Sequence, residues 1–504
     1  MPSTPVVLIG LDAADLPRIE RLSASGKTPH MAQFLQDGAR GRLGSRPTGL
    51  SATIWPKWFE GGQVGSRYFL KQWNPDRMCL ERIPATSGDP EPFWCDLDRR
   101  GLRVCIVDVP QAPLVPLKNG MALQGWQVHD LFDRWTEPAD LWRDLVNSHG
   151  SPPLSGENYG PQTVGSLLAL RDQLLATALQ GGEIACDLLS RGPFDFFVMV
   201  LGALHRGGHY LWDTSQIAGQ TASRDESQRL DSALDEIYIA TDRTVGRILE
   251  RVPEKARVLL FALHGMQANG GWAERFELIA GALAGVSTPT NRPTTLQRLR
   301  QFLPKTLLQR ASGSFPESFG NRVLEFTSAH MHDWPHTSWF ALPSDLAGFI
   351  RLNVQGRESR GILKPGTESR AVEDRLIDAF SRLTDLDGRS VVGDVERTDD
   401  IVPADHPMRR LLPDLLLNWG AIKACETAGL RLGGDELVRW RPGQPNDSGR
   451  SGNHATEGWY SAMGPGTQAG FDGTLREIDG IVPLVYQWLG EKPPGQFDGK
   501  PIIA

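Results

Sequence analysis

The chain has 504 residues, 40% of them apolar and 22% charged, with a formal net charge of -7. That is ordinary globular usage with enough chain for a large core, and an α/β enzyme carrying insertions reaches this size as one unit. The acidic balance excludes a general nucleic-acid binder, which needs a basic face to release phosphate counterions, while leaving room for a local basic pocket around an anionic substrate.

The opening Met1-Pro2-Ser3-Thr4-Pro5 has neither a basic n-region nor a signal-peptide core, and it enters a strand-like run, Val6 to Leu11, that ends in Asp12. With no apolar run of about 18 residues, a soluble, cytoplasmic protein is the expectation. Residues 103–107, 194–201, 257–263 and 413–417 have the length and composition of further buried strands. Between them, 167–189 and 230–251 read as helices. Strands alternating with helices predict an α/β fold, a mostly parallel sheet sandwiched by helices. Stretches near 127–165 and 270–330 interrupt that order and are expected as cap segments inserted into a single domain over 1–504. The second holds Pro289, Pro293, Pro304 and Pro316 with Arg292, Arg298, Arg300, Lys305 and Arg310. These basic residues read as a solvated helix face, or as a lid that meets an anionic partner. The five cysteines, odd in number and without a CxxC pair, exclude a disulfide framework or a cysteine-type zinc site as the expectation.

Ligands of open α/β sheets bind outside the carboxyl ends of the strands. Asp12 ends the first run, His205 and His209 follow the third and His264 ends the fourth, so these residues are expected at one sheet edge. His205-Arg206-Gly207-Gly208-His209 sets two imidazoles four residues apart, on one face if helical. That spacing suits one metal ion, and equally a surface or capping pair. His264 also fits a buried structural histidine, Asp12 a helix cap, and His454 in Gly452-Asn453-His454 a polar turn. His330, His332 and His336 flank Trp334 and Pro335, which restrict the geometry and favour a substrate pocket over a metal site. Of 15 tryptophans, Trp55, Trp58, Trp212 and Trp334 stand beside these motifs and can wall a pocket.

Taken together, the order of motifs resembles that of the alkaline phosphatase superfamily, in its type I phosphodiesterase/nucleotide pyrophosphatase branch. Val7 to Asp15 is similar to the opening strand of that family, and Thr28-Pro29-His30-Met31 with Gly38-Ala39-Arg40-Gly41 to its TPNLxxLxxxGxxG segment. Leu50-Ser51-Ala52-Thr53 followed by Gly61 has the spacing of its nucleophile to a TG turn, without the usual proline. Asp333-Trp334, Asn353, Gly356-Arg357-Glu358 and Gly361 resemble a downstream stretch of bacterial members, and Gly452-Asn453-His454 the late G-x-H motif. The resemblance implies an alkaline phosphatase-like core and hydrolysis of phosphate esters by a Ser51 nucleophile, with Thr53 as runner-up. Sulfate or phosphonate hydrolysis on the same site, phosphoryl transfer to an alcohol, and a non-catalytic binding protein are its alternatives.

The family builds two metal sites, and the resemblance carries them over in altered form. One becomes His205, His209 and His454, with His205 where an Asp is usual. The other keeps Asp12, His264 and Ser51 but has Leu263 where a second carboxylate is expected. One or two divalent ions are therefore implied, zinc first and manganese or iron next, because neutral imidazoles suit first-row metals. Arg206, Lys57 and His336 are candidate cations for a small anionic ester substrate.

Overall fold

Val6–Leu11 and Phe196–Leu201 are buried at every position, as strands covered on both faces must be. The computed structural model describes residues 4–44, 50, 54–61, 71–82, 91–127, 134–154, 160–217, 220, 222–287, 317–441 and 448–503. The elements begin with β1 (Val6–Leu11), α1 (Leu16–Ala24), α2 (Pro29–Asp37), β2 (Ala39–Gly44), α3 (Ile54–Glu60), β3 (Lys71–Asn74), β4 (Cys79–Arg82) and α4 (Phe93–Arg99). Next come β5 (Val104–Val107), β6 (Met121–Gln124), β7 (Trp135–Glu137), α5 (Leu141–His149), α6 (Val164–Ser190), β8 (Phe196–Leu201), α7 (Ala203–Leu211) and α8 (Arg224–Leu249). β9 (Arg257–Ala262), β10 (Gly265–Ala268), α9 (Trp272–Ser287), β11 (Trp339–Leu342), β12 (Gly348–Leu352), β13 (Leu383–Asp385) and β14 (Val392–Arg397) follow. The last strands are β15 (Leu415–Trp419), β16 (Gly429–Leu432), β17 (Asp435–Arg439), β18 (Gly452–Ala455), β19 (Gly458–Met463) and β20 (Gly470–Glu477).

The central sheet has nine strands in the order β20-β2-β19-β9-β1-β8-β5-β6-β7. Its middle, β9 to β6, is parallel throughout, while β19 and β7 run antiparallel to their neighbours. Alternation of side chains along β1 assigns each face of the sheet to a separate core. Val7, Ile9 and Leu11 pack with Ile19, Phe34, Leu174, Leu204 and Ile237, which come from α1, α2, α6, α7 and α8. Val6 and Leu8 pack with Trp58, Trp94 and Val485, which come from α3, α4 and the helix Ile481–Leu489. The expected sandwich of helices about a mostly parallel sheet is the fold observed.

The two long helices start earlier than their apolar periodicity indicates. α6 opens at Val164 and α8 at Arg224, each after a capping box that satisfies backbone N–H groups before the buried face begins. At α8, Glu226 N–H donates to the Ser223 hydroxyl and Ser223 N–H donates back to the Glu226 carboxylate. Periodicity reports burial, so it misses the solvated first turn.

The strand expected at 413–417 is observed as β15, Leu415–Trp419, but not in the central sheet. β15 lies in a separate antiparallel sheet of order β11-β12-β15-β14. That sheet, with β13-β16-β17, is inserted between β10 and β18 and has its own core around Trp272, Phe276, Leu376 and Leu417. Its other face packs Phe340, Phe349 and Leu416 on Trp73 and Leu80 of the β3-β4 hairpin. The described insertion thus extends well past the 270–330 stretch read from the sequence, because an apolar run reports burial and not which sheet buries it. Arg292, Arg298, Arg300, Lys305 and Arg310 lie outside the described residues, as do parts of both expected caps. Among the described residues no helix is long and apolar enough to cross a membrane.

Candidate metal centre

Asp12 leaves the carboxyl end of β1 and stays buried, its N–H donating to the Leu201 carbonyl at the end of neighbouring β8 (3.2 Å). One residue past Leu201 the chain turns into α7, so the first turn of that helix stands beside Asp12. His205 and His209 lie one helical turn apart on α7, the shared face that their spacing predicts. His264 follows β9 and precedes β10, and β10 pairs antiparallel with β18 in a register that sets Met266 opposite His454. This short ladder brings the His264 and His454 rings to 4.6 Å between centroids.

Two glycines allow the close approach of α7 to this ladder. A Cβ on Gly452 would fall 2.1 Å from the Gly208 carbonyl oxygen, and one on Gly208 would fall 2.7 Å from the Met266 methyl. A third, Gly10 in β1, leaves space for the Trp55 ring, 3.3 Å from where its Cβ would stand. Trp55, from α3, uses that space to donate its indole N–H to Asp12 Oδ1 (3.0 Å).

Each of His205, His209 and His454 has one ring nitrogen anchored. His205 Nδ1 lies 2.9 Å from Asp12 Oδ2, His209 Nδ1 3.0 Å from the Gly452 carbonyl, and His454 Nδ1 2.8 Å from Asp345 Oδ2. A carbonyl only accepts, and so does an ionised carboxylate, so all three Nδ1 atoms are assigned as donors. A neutral ring that carries its proton on Nδ1 offers a lone pair on Nε2, and the three Nε2 atoms converge: His205 Nε2 is 2.9 Å from His454 Nε2 and 3.0 Å from His209 Nε2. In the neutral state that metal binding requires, these Nε2 atoms would face one another without a hydrogen between them, and a shared cation would satisfy all three. A tetrahedral zinc ion with Zn–N bonds of about 2.0–2.1 Å holds its nitrogens about 3.3 Å apart. The three potential ligand atoms here all lie within 4.8 Å of one another. The donor set and its anchoring therefore fit one divalent ion.

The electrostatics of His209 and His454 agree with their assignment as neutral rings. Burial, with the charge of Arg450 next, holds His209 well below the ordinary imidazole range. Burial pushes His454 down to about 4, although Asp345 pulls the other way. Burial alone would raise the Asp12 carboxyl, but the charge and hydrogen bonds of His205, with those of His264, outweigh it and keep Asp12 well below its usual range. Asp345 is likewise held low against burial by His454, Arg450 and Asn453. Neutral imidazoles flanked by ionised carboxylates are the state in which a divalent ion binds.

The other expected residues are placed less centrally. His264 Nε2 is 3.5 Å from Asp12 Oδ1, so it borders the centre without joining the trio. Leu263 is fully buried in the core beneath the sheet with Val200 and Tyr460. Arg206 is buried on α7, next in sequence to His205. Burial lowers the Lys57 pKa while Asp479 and Glu477 act to raise it. His336 is exposed and pairs with Asp333 at 2.9 Å. Trp58 and Trp334 are core residues in separate clusters, and Trp55 is the tryptophan that reaches Asp12. Ser51 and Thr53 lie outside the described residues, between buried Leu50 and α3.

Sequence reasoning missed Asp345, and it named Trp55 as a pocket wall without its hydrogen bond to Asp12. Asp345 sits in the turn between β11 and β12, more than 80 residues along the chain from His205, His209, His264 and His454 alike, and Pro343-Ser344-Asp345 signals only a turn.

No family model and no curated protein matches the sequence. Among solved structures, the chain is similar to wild-type alkaline phosphatase PafA, at a TM-score of 0.51 and 13% identity over 100% of this chain and 99% of that one. A mutant of PafA superposes at a TM-score of 0.52 and 12% identity, with both chains covered completely. The chain is also similar to murine ectonucleotide pyrophosphatase/phosphodiesterase 5, at a TM-score of 0.46 and 11% identity over 97% of this chain and 96% of that one. At these identities the likeness to PafA is one of fold, and it bears out the expected alkaline phosphatase-like core.

Proposed function

We propose that this chain, which has the alkaline phosphatase fold, is a metal-dependent hydrolase of phosphate esters whose ion is held by His205, His209 and His454. The observation that carries the reading is the set of three anchored imidazoles with converging Nε2 atoms. The fold supports the chemistry, since the similar PafA is an alkaline phosphatase. A single ion is favoured, because the Asp12 oxygens already face His205 and the Trp55 N–H, and Leu263 is a core residue. Zinc is the first choice, with manganese or iron as alternatives. When bound, a divalent ion supplies Lewis-acid polarisation of an ester oxygen.

Ser51 is the proposed nucleophile, on its spacing to Gly61 and its place four residues before Trp55, which contacts Asp12. Its Oγ attacks phosphorus as the bond to the leaving alcohol breaks, and water then cleaves the phosphoserine to regenerate the hydroxyl. Asp12 and His264, 3.5 Å apart, are assigned the role of orienting Ser51, with His264, the ring outside the trio, as the proposed acceptor of its proton. Arg206, next in sequence to His205 on α7, is the first candidate cation for binding the anionic ester, with Lys57 and His336 as the others.

The test combines elemental analysis with assays of p-nitrophenyl phosphate, bis-p-nitrophenyl phosphate and the sulfate ester, with and without added ion. One equivalent of ion and ion-dependent turnover are expected, and Ser51→Ala abolishes turnover while leaving ion content unchanged. A folded protein that binds no ion and turns over none of these esters overturns the proposal. Leu263 favours a second reading, a binding protein with a reduced metal site; there Ser51→Ala leaves ligand binding intact and no turnover exists to lose.

A further inference from the structure

We propose that Asp345 is a positioning residue of the histidine centre, through which the inserted sheet sets the affinity of the site for its ion. This rests on the reading of His205, His209 and His454 as metal ligands.

Of the three anchoring acceptors, Asp12 ends β1 and the Gly452 carbonyl belongs to β18, so both are parts of the framework that carries the histidines. Asp345 is different. It stands in the β11-β12 turn of the insertion, between Leu342 and Ala347, which are buried in the cluster that joins this sheet to Trp334. The turn is thus fixed to the insertion, and its carboxylate crosses to the core to accept from His454 Nδ1 at 2.8 Å. The His454 and Asp345 side chains are 16% and 17% exposed, so water competes little for that bond.

The β10-β18 ladder fixes the backbone of His454, with Gln267 Nε2 donating to its carbonyl at 2.9 Å. It does not fix the ring. The carboxylate of Asp345 selects the Nδ1–H tautomer and aims Nε2 at His205, as outer carboxylates do for metal-bound histidines. Losing such a partner weakens metal affinity by about 10–100-fold.

The experiment compares wild-type protein with Asp345→Ala and Asp345→Asn, titrating Zn²⁺ against a chromophoric chelator and recording the visible spectrum of the Co²⁺ form. Asp345→Ala is expected to bind Zn²⁺ about 10–100-fold more weakly with an altered Co²⁺ spectrum. Asp345→Asn, whose amide oxygen still accepts from Nδ1–H, is expected to recover part of the affinity and the wild-type spectrum. Should the alanine variant fail to fold, the asparagine variant decides: a weaker Kd supports the proposal and an unchanged Kd and spectrum overturn it. Equal Zn²⁺ affinity in folded Asp345→Ala and wild type overturns this inference alone, whereas wild-type protein that binds neither ion overturns the metal reading beneath it.

Discussion

His205, His209 and His454 each set Nδ1 on an anchor and turn Nε2 toward the other two rings, which is what turns three ordinary residues into a donor set. Leu263 marks the opposite case. It occupies the position where the family resemblance expects a carboxylate, yet it is fully buried among apolar residues. Restoring the carboxylate should therefore not restore a second site. Leu263→Asp is expected to destabilise the protein by at least about 3 kcal/mol, the order of cost for an unpaired buried charge. Denaturant unfolding measures the loss, and elemental analysis should still find one ion. A stable Leu263→Asp protein with two equivalents of ion would contradict both the burial argument and the single-ion reading.

At the scale of elements, the centre depends on how closely α7 lies against the β10-β18 ladder. A Cβ at position 452 meets backbone, the Gly208 carbonyl oxygen at 2.1 Å, and backbone cannot rotate out of the way. A Cβ at position 208 meets side-chain atoms of Met266, the methyl at 2.7 Å and Cγ at 2.9 Å, and that side chain is flexible. Gly452→Ala is thus expected to cost about 1–3 kcal/mol through overpacking. It should also weaken Zn²⁺ binding by at least about tenfold, the smaller loss seen when histidine ligands are misoriented. Gly208→Ala is expected to cost less on both counts. Thermal melts and zinc titrations of the two variants give the order, and a reversed order would show that the helix-ladder contact does not set the geometry.

The whole molecule joins a nine-stranded framework to an inserted pair of sheets, and the insertion carries its own charged core. Asp414, beside β15, accepts from Arg357 Nη1 and Nη2 at 2.5 and 2.8 Å and from Leu352 N–H at 2.6 Å. Burial alone would raise its pKa, but the Arg357 charge and these hydrogen bonds hold it below the ordinary carboxylate range. A carboxyl whose folded pKa is depressed contributes its full stability above the unfolded value of about 4 and loses it as pH falls through the lower folded value. Asp414→Asn is expected to lower stability at pH 7 by roughly 3 kcal/mol, at the low end for breaking a buried pair. Melting curves at pH 7, 5 and 3 should show the gap from wild type narrowing toward acid. A gap that widens with acidity would mean that Asp414 is not ionised in the folded protein.

Much of the framework was legible from local chemistry. Continuous apolar runs such as Val6–Leu11 and Phe196–Leu201 have the length and composition of strands covered on both faces, and residues at the carboxyl ends of such strands are expected at one edge. That placed Asp12, His205, His209 and His264 together, and the i,i+4 spacing put two of the histidines on one helix face. What the sequence could not contain was pairing across long chain separations. Whether 413–417 joins the central sheet is decided by hydrogen-bond partners, not by its own apolarity, and those partners lie in the insertion. Which face Leu263 presents, that Trp55 reaches Asp12, and that a turn residue as distant as Asp345 anchors His454 are likewise products of packing. Composition and periodicity determined the layers and the edge at which chemistry can occur; only the tertiary structure decided which atoms meet there, because hydrogen-bond and metal geometry are set to a few tenths of an ångström by contacts that no local pattern encodes.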